Sequence, residues 1–355
     1  MRYKEDWDVA KKRFTAFWHQ EIIDRCCLSV VVNNVNGKRI VRNPLTDVEK
    51  EREFMDIEYR VSSLRKNLEN TYFGGEAFPM AFVNMGASGH AGFYRGEKHY
   101  FSKTVWFFPF MDDVDHMPEY DKNMPLYRQT IELAKAFVED SKGDYIVSMP
   151  DTCGNADALS HMMGAENLLT AMIEDPEGVS RCLTKIQKSY IDIYSEVYDI
   201  VKQNNDGGSA IGWLNTWAPG FHAQMQCDLS VMISNSHFKK FILPEIKEQS
   251  KFLQYPLYHF DGIEQRRHLD DLLSIPELKC IQWTQVAGQP SCIDYIDDLK
   301  KIQAAGKSLL ISVTPKQIPV LMENLSSRGL YFLTWASSID EAQTLLKDVA
   351  KWTKD

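Results

Sequence analysis

Ser308-Leu309-Leu310-Ile311-Ser312-Val313 is a nearly unbroken apolar run, and such runs mark strands buried on both faces of a parallel sheet. Working outward, a helical pattern from Pro315 to Ser326 leads to a second apolar run, Leu330 to Trp335. On the other side, Ser291 to Ala305 has helical spacing and follows the run Leu278 to Trp283, which itself follows Pro256 to Phe260. Strands and helices therefore alternate at regular intervals, the rhythm of βα units. Towards the N-terminus, Cys27 to Val32, Pro79 to Asn84, Asp144 to Met149 and Ser209 to Leu214 complete a set of eight candidate strands. Long helical patterns separate several of them, notably Pro125 to Lys142, the stretch opened by Asp175-Pro176-Glu177 and running to Gln203, and Ser234 to Leu253, each with start or stop signals. No GxGxxG follows an early strand, so a doubly wound nucleotide fold lacks its marker. The expectation is an α/β fold, a single (β/α)8 TIM barrel spanning residues 1–355, with N-terminal elaborations. Those elaborations are a helix over Glu49 to Asn70 and a Gly- and aromatic-rich excursion over Gly86 to Asp115. Within the excursion, Gly86 to Tyr100, with His90 and His99, reads either as a lid over the site or as a structural flap.

Composition narrows the function. The chain has 355 residues and a formal charge of −9, with no basic block to meet a phosphate backbone, so nucleic-acid binding is set aside. No apolar stretch is long enough to span a membrane, and Met1 to Arg25 is rich in charge, which points to a cytoplasmic protein without a membrane role. Seven scattered cysteines without a CxxC pair indicate neither a disulfide framework nor a zinc ribbon. No linker or internal repeat divides the sequence.

In a barrel of this kind the chemistry gathers at the carboxyl ends of the strands. Reading off those ends gives Asn33-Asn34, Asn84, Asp151, Trp213, Asn215, Trp217, His259, Asp261, Gln282, Trp283 and Trp335. His259 and Asp261 are two apart on a strand, so they share a face and can serve as metal ligands or as a general acid/base pair. A capping and structural role is the plain alternative. Trp213, Trp217 and Trp283 are candidates for a pocket wall, with Gln282, Asn215, Asn84 and Asp151 as polar contacts to a substrate. Each also has a structural alternative, an N-cap for Asp151 and a core position for the indoles. Cys227, before a predicted helix, is a third candidate metal ligand or nucleophile if the fold brings it to His259.

The segments Lys12-Arg13-Phe14-Thr15-Ala16-Phe17-Trp18 to Ile23-Asp24-Arg25, Met163-Gly164 to Asp175-Pro176-Glu177, Met232-Ile233-Ser234 with Phe238 and Phe241 to Pro244, and His259 to Gly262 together resemble the uroporphyrinogen decarboxylase superfamily. That superfamily also contains zinc-dependent methyltransferases that move methyl groups between corrinoid proteins and thiols. The resemblance implies one barrel with a cleft at the strand carboxyl ends. It implies less about activity. The first strand has no arginine pair, the position of the decarboxylases' Tyr falls on Ser160, and the region of their Asp reads Phe82-Val83-Asn84-Met85-Gly86. A tetrapyrrole with many carboxylates would find few cations here. The methyltransferases hold zinc with an HxC pair and a later Cys, whereas this chain has Asp261 beside His259 and Thr334-Trp335-Ala336-Ser337 near its end. The resemblance thus implies methyl transfer linked to a corrinoid protein or a related tetrapyrrole, with His259, Asp261 and Cys227 as zinc ligands if metal is bound. The alternatives are a metal-independent decarboxylase of a tetrapyrrole or smaller carboxylic acid, and a barrel that binds such a ligand without catalysis.

Overall fold

The computed structural model describes residues 1–37, 45–87 and 89–354. Ser88, inside the excursion singled out above, lies outside the described residues. The strands are β1 (Cys27–Asn33), β2 (Thr71–Gly75), β3 (Met80–Ala81), β4 (Lys98–Phe101), β5 (Val105–Phe108), β6 (Ile146–Val147), β7 (Ser209–Ile211), β8 (Thr216–Ala218), β9 (Gln224–Met225), β10 (Leu257–Asp261), β11 (Cys280–Thr284), β12 (Ser308–Ser312) and β13 (Leu330–Trp335).

Seven of them form one sheet in the order β2-β1-β13-β12-β11-β10-β9, parallel except where β2 runs against β1. A second short parallel ladder joins β3 to β6, and a parallel bridge between Met149 and Ile211 leads on to β7. Helices separate the parallel strands, the geometry of a TIM-like barrel wall. The hydrogen-bonded ladder does not close into a complete ring among the described residues.

Where the strands are buried on both faces, the sequence pattern and the ladder agree: β10 to β13 fall within a residue or two of the apolar runs. The N-terminal half departs from it. The run Ser209 to Leu214 stops being a strand at Ile211, because Asn215 adopts a left-handed backbone (φ 47°) and turns the chain back into antiparallel β8. The stretch Glu49 to Asn70 is two helices, Asp47–Met55 and Ile57–Glu69, because Asp56 caps the second by accepting from the Tyr59 amide at 2.9 Å. The excursion contains the hairpin β4–β5 and a short 3-10 turn whose His90 is buried against Ser189 at 2.6 Å.

The amino ends of the strands are sealed. Helix Trp7–Trp18 lays Trp7, Phe14, Phe17 and Trp18 across Leu257, Cys280, Leu310 and Tyr331. Beside this plug the Arg25 guanidinium grips Glu76 through two bonds of 2.6 and 2.9 Å, and Glu76 also accepts from the Leu28 amide. No helix among the described residues is long and apolar enough to cross a membrane.

Candidate functional site

Three potential ligand atoms converge at the opposite end. One oxygen each from Asp228 and Asp261 and one ring nitrogen of His259 lie within 4.8 Å of one another. Strand geometry places two of them: Leu257, His259 and Asp261 alternate with Tyr258 and Phe260 along β10, and the first set faces inward, as the two-residue side-chain period requires. The third comes from the 3-10 turn Asp228–Met232, which follows β9 directly.

The imidazole is held from behind. Its Nδ1 meets Gln282 Oε1, the residue paired with it in register on β11, and Thr284 Oγ1 stands 3.2 Å away. Gln282 is itself fixed by a 2.9 Å bond from its Nε2 to Thr284. A carbonyl oxygen facing Nδ1 puts the ring proton there and leaves Nε2, 3.8 Å from Asp261 Oδ1, with its lone pair towards the carboxylates. The Trp213 ring packs edge-on against the imidazole at 4.8 Å and 88°. Its indole N–H is enclosed without an acceptor among the described residues, so it is a donor available to a ligand.

The surroundings are acidic. Desolvation and the neighbouring carboxylates of Asp157, Asp261 and Asp151 push the Asp228 carboxyl up to about 9. Asp157 is satisfied by the amides of Asp228 and Leu229, at 3.1 and 2.8 Å, and so anchors the turn that carries Asp228. Burial also raises Asp151, which accepts from Gln224 at 3.1 Å and from the Cys153 amide at 3.3 Å.

The other residues singled out in the sequence occupy different places. Trp283 faces outward, stacked on Phe260 at 4.9 Å beneath the surrounding helices, because it alternates with the inward Gln282. It is core, not pocket wall. Trp217 belongs to the plug at the amino ends, 5.7 Å from Trp7, with its indole N–H on the Asn205 carbonyl at 3.2 Å. Asn215 spans the interior as a strut, accepting from Ser29 at 2.8 Å while its backbone carbonyl accepts from Tyr331 at 2.7 Å. Asn84 accepts from the Gly86 amide at 2.7 Å and lines a separate cavity. The Cys227 thiol is fully buried, its pKa is driven up by desolvation, and it does not join the three-ligand group. Trp335 is 60% exposed at the end of β13.

Asp228 is the residue that sequence reasoning passed over. It stood next to Cys227, and no periodicity marks a residue on a 3-10 turn; its only signal was a carboxylate directly after a buried polar-apolar run, Gln224-Met225-Gln226-Cys227.

No protein-family model matches the sequence, and no curated protein matches it either. Its fold, however, has a counterpart. A solved methyltransferase from Methanosarcina mazei superposes with a TM-score of 0.61, covering 96% of this chain and 98% of that one at 12% identity. At that identity the likeness is one of fold.

Proposed function

We propose that the chain is a methyl-transfer enzyme built on a uroporphyrinogen decarboxylase-like (β/α)8 barrel, with a divalent metal held by His259, Asp261 and Asp228. The observation that carries this reading is the convergence of those three donors at the carboxyl ends of parallel strands, in a fold that matches a methyltransferase end to end. The donor set fits a metal: one imidazole with its Nδ1 anchored and Nε2 free, and two carboxylates, one of them destabilised as an anion until a cation arrives. It is a nitrogen and oxygen set, harder than the thiolate set of the zinc methyltransferases the sequence resembles, and Cys227 stands outside it. The metal, zinc or another divalent ion, would supply Lewis acidity to hold an acceptor as its anion. The chain's own contribution is positional. Gln282 and Thr284 fix the ring, Trp213 blocks its rotation and offers an N–H, and Asp157 holds the Asp228 turn in place. The methyl carrier in this reading is a corrinoid protein or a related tetrapyrrole, for which Met232 and Trp335, 53% and 60% exposed, supply apolar surface.

The test is elemental analysis of protein purified without chelator. One divalent metal per chain, lost in His259→Ala together with methyl-transfer activity, is the expected result. Metal-free protein with activity intact in His259→Ala would sink the reading. A second reading has its own observation: an Asp228 carboxyl that keeps its proton near neutral pH can act as a general acid without metal, as a decarboxylase of a tetrapyrrole or smaller acid requires. It predicts carbon dioxide release that chelators leave unchanged.

A further inference from the structure

A second cavity, of about 560 Å3, lies between the helices Asp47–Met55 and Ile57–Glu69 and the strand β3. Its volume is in the range of small-molecule sites. Phe54, Phe82 and Phe137 give it flat apolar walls. Three cations, Arg60, Lys66 and Lys103, line it against a single carboxylate, Glu53. In a chain with a net charge of −9, that local excess of positive charge runs against the average.

None of the three cations forms an ion pair with a described residue. Arg60 is the most constrained. Its Nη1 donates to the carbonyls of Asn84 at 2.7 Å and Phe54 at 3.4 Å, and its Nη2 to that of Phe82 at 3.1 Å. These carbonyls orient the guanidinium without neutralising it, and its Nε–H takes no acceptor among the described residues. Burial accordingly lowers its pKa to about 10, the Glu53 carboxylate offsetting only part of that cost. A half-buried guanidinium whose Nε–H takes no acceptor and which has no ion-pair partner among the described residues, beside two lysines and a cavity, is a built receptor for an acid group.

We propose that this cavity binds a small organic anion with a flat apolar body, its acid group on Arg60 and its ring among Phe54, Phe82 and Phe137. The site is distinct from the His259 cluster yet close to it. The Phe82 ring packs directly on Gly212, where a Cβ would come within 2.2 Å of it, and the next residue is Trp213, whose indole abuts His259. An occupant therefore sits across one layer of rings from the cluster. The inference does not depend on a metal.

Isothermal titration of the full chain with benzoate and with benzamide, its uncharged isostere, tests it. Benzoate is expected to bind, with benzamide weaker by about tenfold or more, the loss typical of a charge-assisted hydrogen bond. Because Arg60 also ties three carbonyls, Arg60→Gln risks misfolding. Ser63→Trp, which fills the cavity from the helix surface, is the safer variant and is expected to abolish benzoate binding with an unchanged circular dichroism spectrum. Lys66→Gln with Lys103→Gln is expected to weaken it by about threefold, since exposed charges are screened. Equal affinity for the two probes, no benzoate binding at millimolar concentration, or undiminished binding in Ser63→Trp each overturns the proposal. Metal content, unaffected by any of these variants, keeps its failure separate from that of the metal reading.

Discussion

Two histidines, one at each end of the strands, show how differently the same side chain is used. His222, by the plug, has both nitrogens tied: Nδ1 donates to the Tyr255 carbonyl at 2.6 Å and Nε2 accepts from Thr216 at 2.8 Å. Burial lowers its pKa to about 4, and the Trp18 ring lies 4.7 Å away. It is a neutral, fully satisfied core residue. His259 has one nitrogen anchored and the other directed at carboxylates, beside an indole N–H that finds no acceptor among the described residues. The plugged end spends its polar groups on internal bonds and its rings on close packing, whereas the open end leaves both unfinished. Stability is thus concentrated at one end and available chemistry at the other.

The sharpest way to break that contrast is at the plug. Trp217→Ala removes an indole that is 3% exposed and packed on Trp7 and Phe14, and is expected to cost about 3–5 kcal/mol in denaturant unfolding. A loss below about 1 kcal/mol would show that the plug is not where the stability lies. Glu245, on helix Leu243–Phe252, is buried against Asn155 and the Ala156 amide beside Asp157, with no well-formed hydrogen bond to either carboxyl oxygen among the described residues. Burial raises its pKa, so the folded chain keeps a proton that the unfolded chain releases above about pH 4.3, and stability falls as pH rises beyond that value. Glu245→Gln is expected to flatten this fall and to gain about 1–2 kcal/mol at pH 8, checked by urea titrations across pH. The smallest stability effect belongs to the open end. Asp228→Asn is expected to change unfolding free energy by less than about 1 kcal/mol while abolishing metal retention, and a large destabilisation would mean that the Asp228 carboxylate is a structural element after all.

The same division decides what could be read from sequence. The strands β10 to β13 were legible because burial on both faces leaves no alternative to a continuous apolar run. His259 and Asp261 were legible as partners because a strand has a period of two. That period also carried the correction for Trp283, since Gln282 and Trp283 are adjacent and cannot share a face. Trp217 was not legible: its position depends on the left-handed turn at Asn215, which reverses the chain and delivers the indole to the far end of the strands. Nor was Asp228, whose approach to His259 is set by Asp157 amide contacts between residues distant in sequence. Two-residue strands such as β3, β6 and β9 leave too short a pattern to bound.

The pairing of β1 with β13, Cys27 against Tyr331 through Val31 against Trp335, has a consequence for biogenesis. β1 can pair with β2 early in synthesis, but it waits for β13 before its parallel ladder can form, and the Trp7–Trp18 helix waits with it, because its footprint includes Leu310 and Tyr331. Throughout synthesis, then, the nascent chain carries an exposed strand edge and a belt of uncovered aromatic rings. Such a topology folds late and slowly, and depends on protection from aggregation until its C-terminal strand arrives.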